Sequence, residues 1–383
     1  MLLFGQAAGQ AAPGLVKAPA QGGARADASQ PAGKIDEQFV AGRVVSVGLA
    51  TVNKSLLNGT GMVSNQEQVI VEILEGPLKG ETVAVNNEIT DNPAYNVNVS
   101  PGREVVLSVV TESGGKPEIN IADYHRAPVI FWLAAVFLAA FLFFGGKHGL
   151  KSLAGLVSSV LLISLVLLPL SLQGFNPLVT AIFICLAATA ASMFFIAGFS
   201  RKAMAAVLGT VGGVIIAGIA AQIVIVMAPL TGLSSEEAQI LRGSVLHQKP
   251  EFYSGLLAAG MLIGALGVIM DVGVSIASAV FEVAKTGKTL STKQLYDSGM
   301  NVGRDIMGTM TNTLILAYTG SALPLLLLAS QMPNAKLLNL DLVATEIAAA
   351  LSGSLGLVCT IPMTALAAAR LMSSADIIDD NRQ

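Results

Sequence analysis

The apolar positions of the chain are concentrated in seven long runs that occupy its second part. Each run contains about 20 or more mainly apolar residues, the length that a helix needs to cross the hydrocarbon of a bilayer. The fifth run is longer than this requirement, so we expect its helix to tilt or protrude. The runs lie near 128–146, 153–172, 177–199, 203–229, 253–281, 306–329 and 343–369.

The first part of the chain has a β-type pattern that begins at Phe39. About five strands in ~85 residues predict a small antiparallel domain, either an OB-like barrel or a sandwich. Residues 5–34 are rich in Ala, Gly, Gln and Pro and predict a disordered leader or linker. The strand candidates, separated by turn-forming residues, are "FVAGRVVSVG", "EQVIVEIL", "GETVAVNN", "REVVLSVV" and "PEINIAD".

These patterns predict an α-helical polytopic membrane bundle of about seven spans, preceded by a small all-β domain. Ten Lys and Arg residues lie on one side of the predicted spans and three on the other. Because cytoplasmic loops are the ones enriched in Lys and Arg, the C-terminus is predicted to be cytoplasmic and the β-rich domain extracytoplasmic. The predicted segments are 1–37 leader or linker, 38–126 β-rich domain, 127–372 transmembrane domain and 373–383 cytoplasmic tail.

The start of the chain does not supply the element that normally translocates such a domain. A signal peptide or anchor needs a charged region followed by an apolar stretch. The apolar part of "MLLFGQAAGQ" is too short for either role. We therefore expect an anchor helix that the given start does not include.

Composition narrows the classes of function. Of the 383 residues, 53% are hydrophobic and only 12% charged, and the net charge is -3, so nucleic acid is not a predicted partner. Cys185 and Cys359 lie in apolar runs without metal-ligand or redox spacing, which favours packing roles. The three histidines have no zinc spacing and no phosphate-binding GKS/T loop exists. We predict no catalytic residues, no metal and no cofactor, and we do not expect an enzyme.

One predicted helix has a carboxylate inside its apolar run, "MLIGALGVIMDVGVSIASAVFE". Inserting Asp271 at mid-helix costs about 2.5–3.5 kcal/mol, so its side chain is expected to face protein or water. Toward the cytoplasm, the residues that share its face at i+4, i+7 and i+11 are Ser275, Ser278 and Glu282.

Small residues continue this face in the opposite direction, at Gly260, Gly264 and Gly267. The same kind of surface is predicted in "GTVGGVIIAG", residues 209–218. Glycines let helix backbones touch, which favours tight packing within the bundle or contact between copies of the chain. A cavity lined by backbone is the alternative use of these positions.

The sixth run carries a second polar stripe. Arg304 and Asp305 lie at its cytoplasmic end, and Thr309 and Asn312 follow Asp305 at i+4 and i+7. The depths of the two stripes match, so we expect them to face each other, with Asn312, Thr309 or Thr313 as the partner of Asp271.

Two interpretations of these stripes stay open, besides a role between subunits. Asp271 either clamps two helices together or binds a proton or cation in a transport path. The path would be lined by Asp271, Ser275, Ser278, Thr309 and Asn312, and its cytoplasmic gate would be formed by Glu282, Arg304 and Asp305.

The remaining signals concern helix ends. "STKQ" (291–294) is a capping box and predicts a short amphipathic helix before the sixth span, and "SSEEAQILRG" predicts another on the opposite side. Pro324 and Pro362 indicate interruptions of the last two spans.

The run "GALGVIMDVGVSIASAVFEV" followed by "SGMNVGRDIMGTMTNTLILAYTGSALPLLLL" resembles the YibE/F family of bacterial integral membrane proteins, most specifically over about 255–330. The resemblance implies a plasma-membrane protein with an anchor, a small β-rich extracytoplasmic domain and a multi-span bundle. We expect a transporter or permease for an unidentified small solute or ion. The alternative is a non-transporting scaffold or assembly factor whose β-rich domain binds an envelope partner.

Overall fold

The computed structural model describes residues 36–48, 51–52, 65–89, 96–111, 117–244, 249–286 and 290–373. The predicted leader lies outside these residues up to position 35, and the predicted tail lies outside them from position 374. The chain forms two compact units, divided between Val136 and Phe137.

The first unit contains an antiparallel β-sheet that curls into a near-barrel of five main strands. The strands are β1 (Asp36–Val47), β2 (Thr51–Val52), β3 (Asn65–Ile73), β4 (Thr82–Ile89), β5 (Glu104–Thr111) and β6 (Glu118–Tyr124). The strand order is β4-β3-β1-β5-β6, with the short β2 also paired to β3, and β4 approaches β6. This arrangement agrees with the barrel alternative of the prediction.

Alternating aliphatic residues form the core of this near-barrel, because successive side chains of a strand point to opposite faces. Gly42 leaves room for core side chains, since a β-carbon there would be 2.6 Å from Leu107 Cδ1 and 2.7 Å from Val71 Cγ1. Val45 follows the buried Val44 and is exposed, and the register of β1 with β3 shifts between Val44 and Ser46. The buried core residues are Val44, Val69, Val71, Ile73, Val85, Val105 and Leu107.

The helices that follow are mostly long and apolar. The first of them contains a break at Gly146, whose φ of 50° and ψ of -135° are not helical. The helices are α1 (Ala127–Leu162), a π-helical segment (Ile163–Leu167), α2 (Leu168–Leu172), α3 (Pro177–Ala197), α4 (Arg201–Met227), α5 (Glu236–Ser244), α6 (Pro250–Thr286), α7 (Thr292–Ser321), α8 (Leu323–Ala329), α9 (Asn334–Leu337) and α10 (Asp341–Leu371).

Five helical segments of the described residues are long and apolar enough to cross a membrane, which makes the chain a multi-pass membrane protein. The first two predicted runs are joined in one of these segments, and the polar helix α7 is not among them. The five segments are Ala127–Leu172, Pro177–Ala197, Arg201–Met227, Pro250–Thr286 and Asp341–Leu371.

Helices α4, α6 and α10 pack closely at the centre of the bundle, through small residues. A β-carbon on Gly213 of α4 would collide with Thr360 of α10 and lie 2.8 Å from Gly356 O. Gly209 meets Thr364 in the same way. The close-approach surface predicted for "GTVGGVIIAG" is therefore confirmed, and it faces α10.

Helix ends follow local signals in the sequence. Ser291 Oγ accepts a hydrogen bond from Gln294 N at 3.3 Å, and Ser291 N donates to Gln294 Oε1 at 2.9 Å, so the capping box is confirmed. It begins α7 itself, and the separate short helix predicted there is wrong, because α7 continues without a break into the sixth apolar run. The break predicted at Pro324 is present between α7 and α8, whereas α10 continues through Pro362.

Candidate intramembrane polar site

The predicted polar stripe of α6 lies on the surface of the helical unit. Asp271 and Ser275 are exposed, while Val272 and Ile276 on the opposite face are buried. Ser278 is half-buried, and its Oγ donates to the carbonyl oxygen of residue 274 at 2.7 Å. The other exposed residues of this face are Gly260, Gly264, Gly267 and Glu282.

Contacts between α6 and α7 establish their relative depth. A β-carbon on Gly303 of α7 would lie 3.3 Å from Ile276, and one on Gly264 of α6 would lie 2.5 Å from Tyr318 Oη. Because the helices are antiparallel, interpolating between these contacts places Asp271 level with residues 308–311. The matching depth expected for the two stripes is therefore found, at Thr309.

The polar side chains of α7 at this depth are exposed and do not bind Asp271. Thr309 Oγ1 donates to Ile306 O and Thr313 Oγ1 donates to Thr309 O, each at 2.9 Å. Asn312 is exposed as well. Among the described residues Asp271 forms no hydrogen bond or ion pair, so the expected contact with Asn312, Thr309 or Thr313 is not formed.

The three residues assigned to the cytoplasmic gate are brought to the same end of the bundle but are not paired. Arg304 Nη1 donates to Asn301 Oδ1 at 3.3 Å on its own helix. Glu282 and Asp305 are exposed, and neither forms an ion pair with Arg304 in the part of the chain that is described.

The glycines of the α6 stripe differ in what they face. Tyr318 reaches across Gly264, so this glycine permits close approach of α7. A β-carbon on Gly260 or Gly267 would have no atom within 4 Å. Of these three glycines, only Gly264 packs against another helix of the same chain. Open space lies beside Gly267, one turn before Asp271.

Two functional candidates were missed by the sequence reasoning, Tyr318 and Glu346. Both line a cavity of about 220 Å³ between α7, α8 and α10. Glu346 lies inside the seventh apolar run, and a carboxylate at such a position is the signal that could have identified it. Asp271 is thus not the only acidic residue within an apolar run.

In the β-rich unit, charged side chains cluster around Glu104 at the start of β5. Arg43 Nη2 donates to Glu104 Oε1 at 3.0 Å, and His125 Nδ1 lies 3.2 Å from Glu104 Oε2. The Arg43 hydrogen bond, followed by the one from His125, lowers the pKa of Glu104 below its ordinary value. Asp123 similarly has a lowered pKa because it accepts hydrogen bonds from Arg126 and from the backbone N–H of Tyr124.

The described residues contain no group of three or more His, Cys, Asp or Glu side chains that could hold a metal ion. The surface around Asp271 has one carboxylate, hydroxyls, an amide and glycines. It can accept a proton or a monovalent cation and can hydrogen-bond water or a polar solute.

The fold and this polar face define a class of protein: a multi-pass membrane protein with a small β near-barrel before its helical bundle. The chain belongs to the YibE/F family. Residues 133–374 match the family model described as YibE/F-like protein, and residues 41–124 match the YibE/F family N-terminal domain. Comparisons with curated proteins and with solved structures gave no significant match.

Proposed function

We propose that the chain is a transporter or permease in which Asp271 is a proton- or cation-linked site. One observation carries this proposal: Asp271 is exposed and unpaired among the described residues, midway along an apolar helix. A clamp between helices would require a partner for the carboxylate. A transport site instead requires access, which the open space beside Gly267 offers.

Energetics of the bilayer support this choice. An ionised side chain exposed to hydrocarbon costs at least about 2.5 kcal/mol, and an unpaired amide adds to the cost. Thr309 and Asn312 lie close to the depth of Asp271 and are also exposed. A face with this composition is stable when water or polar solute covers it. Ser275 and Ser278 extend the proposed path toward the gate formed by Glu282, Arg304 and Asp305.

The proposed topology has seven spans, an extracytoplasmic β-rich domain of OB-like type and a cytoplasmic C-terminus. The 46-residue segment Ala127–Leu172 would be roughly 70 Å long as a straight helix, more than twice the thickness of the hydrocarbon. The break at Gly146 therefore supports two spans in this segment. The polar helix α7 supplies the remaining span, and the partly open five-stranded barrel supports the OB-like type.

Water access to position 271 is tested by cysteine labelling in membranes. Asp271→Cys is compared with Ile215→Cys, each in a chain whose Cys185 and Cys359 have been replaced by alanine. Ile215 is a matched control because it is 40% exposed on α4 and, from the Gly213–Ile269 contact, lies within about one turn of the same depth. We expect a charged thiol reagent to modify Asp271→Cys and to leave Ile215→Cys unmodified. Equal protection of both would refute an aqueous path.

The linked proton is tested in proteoliposomes that contain a pH-sensitive dye. The wild type should move protons in response to an imposed potential or pH gradient. Asp271→Asn should abolish this movement and Asp271→Glu should retain part of it. Asp297→Asn, a neutralised exposed carboxylate near the start of α7, should behave as the wild type. Normal proton movement in Asp271→Asn would remove this residue from the mechanism.

The alternative is a non-transporting scaffold that uses the β-rich domain, and the surface of that domain favours it. Val45 and Ile70 are exposed apolar side chains on neighbouring strands, and a cavity of about 230 Å³ lies among Val40, Ile73 and Leu78. Such surfaces often bind other proteins. If deletion of residues 1–126 removes the cellular function while Asp271→Asn preserves it, the scaffold is the better explanation.

A further inference from the structure

The cavity between α7, α8 and α10 combines one negative charge with apolar walls. Glu346 of α10 and Tyr318 of α7 both line it, and Thr319 adds a hydroxyl group. The remaining lining residues are all Ala, Val, Ile or Leu, for example Ile315 and Leu326. The cavity exists because α7 ends at Ser321 and the chain continues as α8, which leaves space beside the first turns of α10.

The carboxylate selects the charge of a ligand. Glu346 forms no ion pair or hydrogen bond with another described residue. An isolated carboxylate in apolar surroundings is costly, and a bound cation offsets this cost. An anion would meet repulsion from Glu346 without a basic group in the cavity lining to offset it.

The rest of the lining selects the kind of cation. A divalent metal requires about six or more oxygen ligands, and this cavity supplies one carboxylate, one phenol and one hydroxyl. The aliphatic walls can instead contact the hydrocarbon part of an organic cation, and the ring of Tyr318 can attract an ammonium group through its π-face. Drug-sized ligands fill about 300–1,000 Å³, so a cavity of about 220 Å³ takes a smaller molecule.

We propose that this cavity binds a small organic ammonium ion, with its charged group at Glu346 and Tyr318 and its apolar part against the aliphatic walls. Tyr318 also connects the cavity to the α6 stripe, because its hydroxyl lies over Gly264, two turns from Asp271. If the proposed transport function holds, the cavity is the outer binding site of that path and small protonated amines are its substrate class.

Binding is measured directly on the purified full-length chain in detergent by isothermal titration. The probes are benzylammonium and its neutral analogue benzyl alcohol. The wild type should bind benzylammonium and discriminate against benzyl alcohol. Glu346→Gln should weaken benzylammonium binding by about tenfold or more, the effect of removing one charged partner in a poorly solvated site. Tyr318→Leu should weaken it several-fold through loss of the ring, about the size of a cation–π contact.

Glu237→Gln is the matched control, because Glu237 is an exposed carboxylate on α5 and is not part of the cavity lining. This variant should bind as the wild type. If both probes bind with equal affinity and Glu346→Gln changes neither, the cavity binds apolar groups, such as a lipid chain, without selecting for charge. This result would overturn the proposal. Absence of benzylammonium binding would overturn it as well.

The same titration on Asp271→Asn separates this proposal from the transport function. Retained binding in a variant that no longer moves protons supports both the ammonium site and the role of Asp271. Retained binding in a chain that transports nothing removes the transport function and leaves the ammonium site standing. Loss of binding in Glu346→Gln with intact proton movement supports the site independently of the proton path.

Discussion

Substituting alanine for two glycines of the same bundle should have opposite effects on stability. Gly213 lies at the crossing of α4 and α10, and Gly267 lies on the exposed stripe of α6. Both positions are helical, so alanine favours the helix by up to about 1 kcal/mol at each. The difference between the two variants therefore reports what the added methyl group meets.

At Gly213 the methyl group meets atoms that cannot easily move. It would collide with Thr360 Oγ1 and lie 2.8 Å from Gly356 O, a backbone atom of α10. Overpacking of this kind typically costs about 1–3 kcal/mol. Because a backbone oxygen is involved, we expect the upper end of this range, so the net loss after the helix-propensity gain is about 2 kcal/mol, which corresponds to a melting temperature lowered by roughly 4–8 °C in a unit of this size. At Gly267 no atom lies within 4 Å, so the melting temperature should stay constant or rise slightly.

The assay is thermal unfolding of the purified variants in the same detergent at low protein concentration. Unfolding is monitored by far-UV circular dichroism and aggregation by light scattering. Equal shifts in the two variants would refute the packing argument. A large loss confined to Gly267→Ala would show that the exposed face is covered in the folded protein, and the description of Gly267 as facing open space would be wrong.

Two further predictions concern the β-rich unit. The pKa of Glu104 is lowered in the folded state, so its contacts with Arg43 and His125 stabilise the unit above the ordinary pKa of 4.5, and this contribution is lost as the pH falls through the lowered folded pKa. Because the pair is partly exposed, Glu104→Gln should cost only about 0.2–1 kcal/mol at pH 7, and the difference from the wild type in denaturant unfolding should shrink as the pH is lowered below 4.5. Leu107 is completely buried, so Leu107→Ala should destabilise the unit by about 2–5 kcal/mol, whereas Val45→Ala on its outer surface should change the same unfolding midpoint little.

Patterns within single segments were sufficient to predict several features of the structure. The capping box at Ser291 predicts a helix start because its two hydrogen bonds depend on residues three positions apart. The period of the α6 stripe places Asp271, Ser275 and Gly267 on one face for the same reason, since helix geometry alone determines which residues share a face.

Features that depend on which helices become neighbours were not predictable in this way. Periodicity shows that Asp271 and Gly267 share a face, but not whether another helix covers that face. The cavity at Glu346 requires α7 and α10 to approach each other and α8 to turn aside, and these segments are separated in the sequence by a polar loop. Tyr318 was not identified from the sequence, because a tyrosine near the end of a predicted span is ordinary at a membrane interface.

In the proposed seven-span topology, the cost of exposing Asp271 and Asn312 to hydrocarbon disfavours lipid against the exposed face of α6 and α7 and leaves two other surroundings. Water in a laterally shielded path is one, and a second copy of the chain is the other. A second copy related by an axis along the membrane normal would bring residues of equal depth together, so the carboxylate of Asp271 could accept from Asn312 of that copy. The two surroundings differ at Gly267: a water-filled path tolerates the added methyl group of Gly267→Ala, whereas a helix packed on the Gly260–Gly267 surface does not. The stability of Gly267→Ala and the labelling of Asp271→Cys therefore have to agree. If water covers the face, Gly267→Ala is as stable as the wild type and the cysteine at position 271 reacts. If a second copy covers it, Gly267→Ala is destabilised and the cysteine is protected.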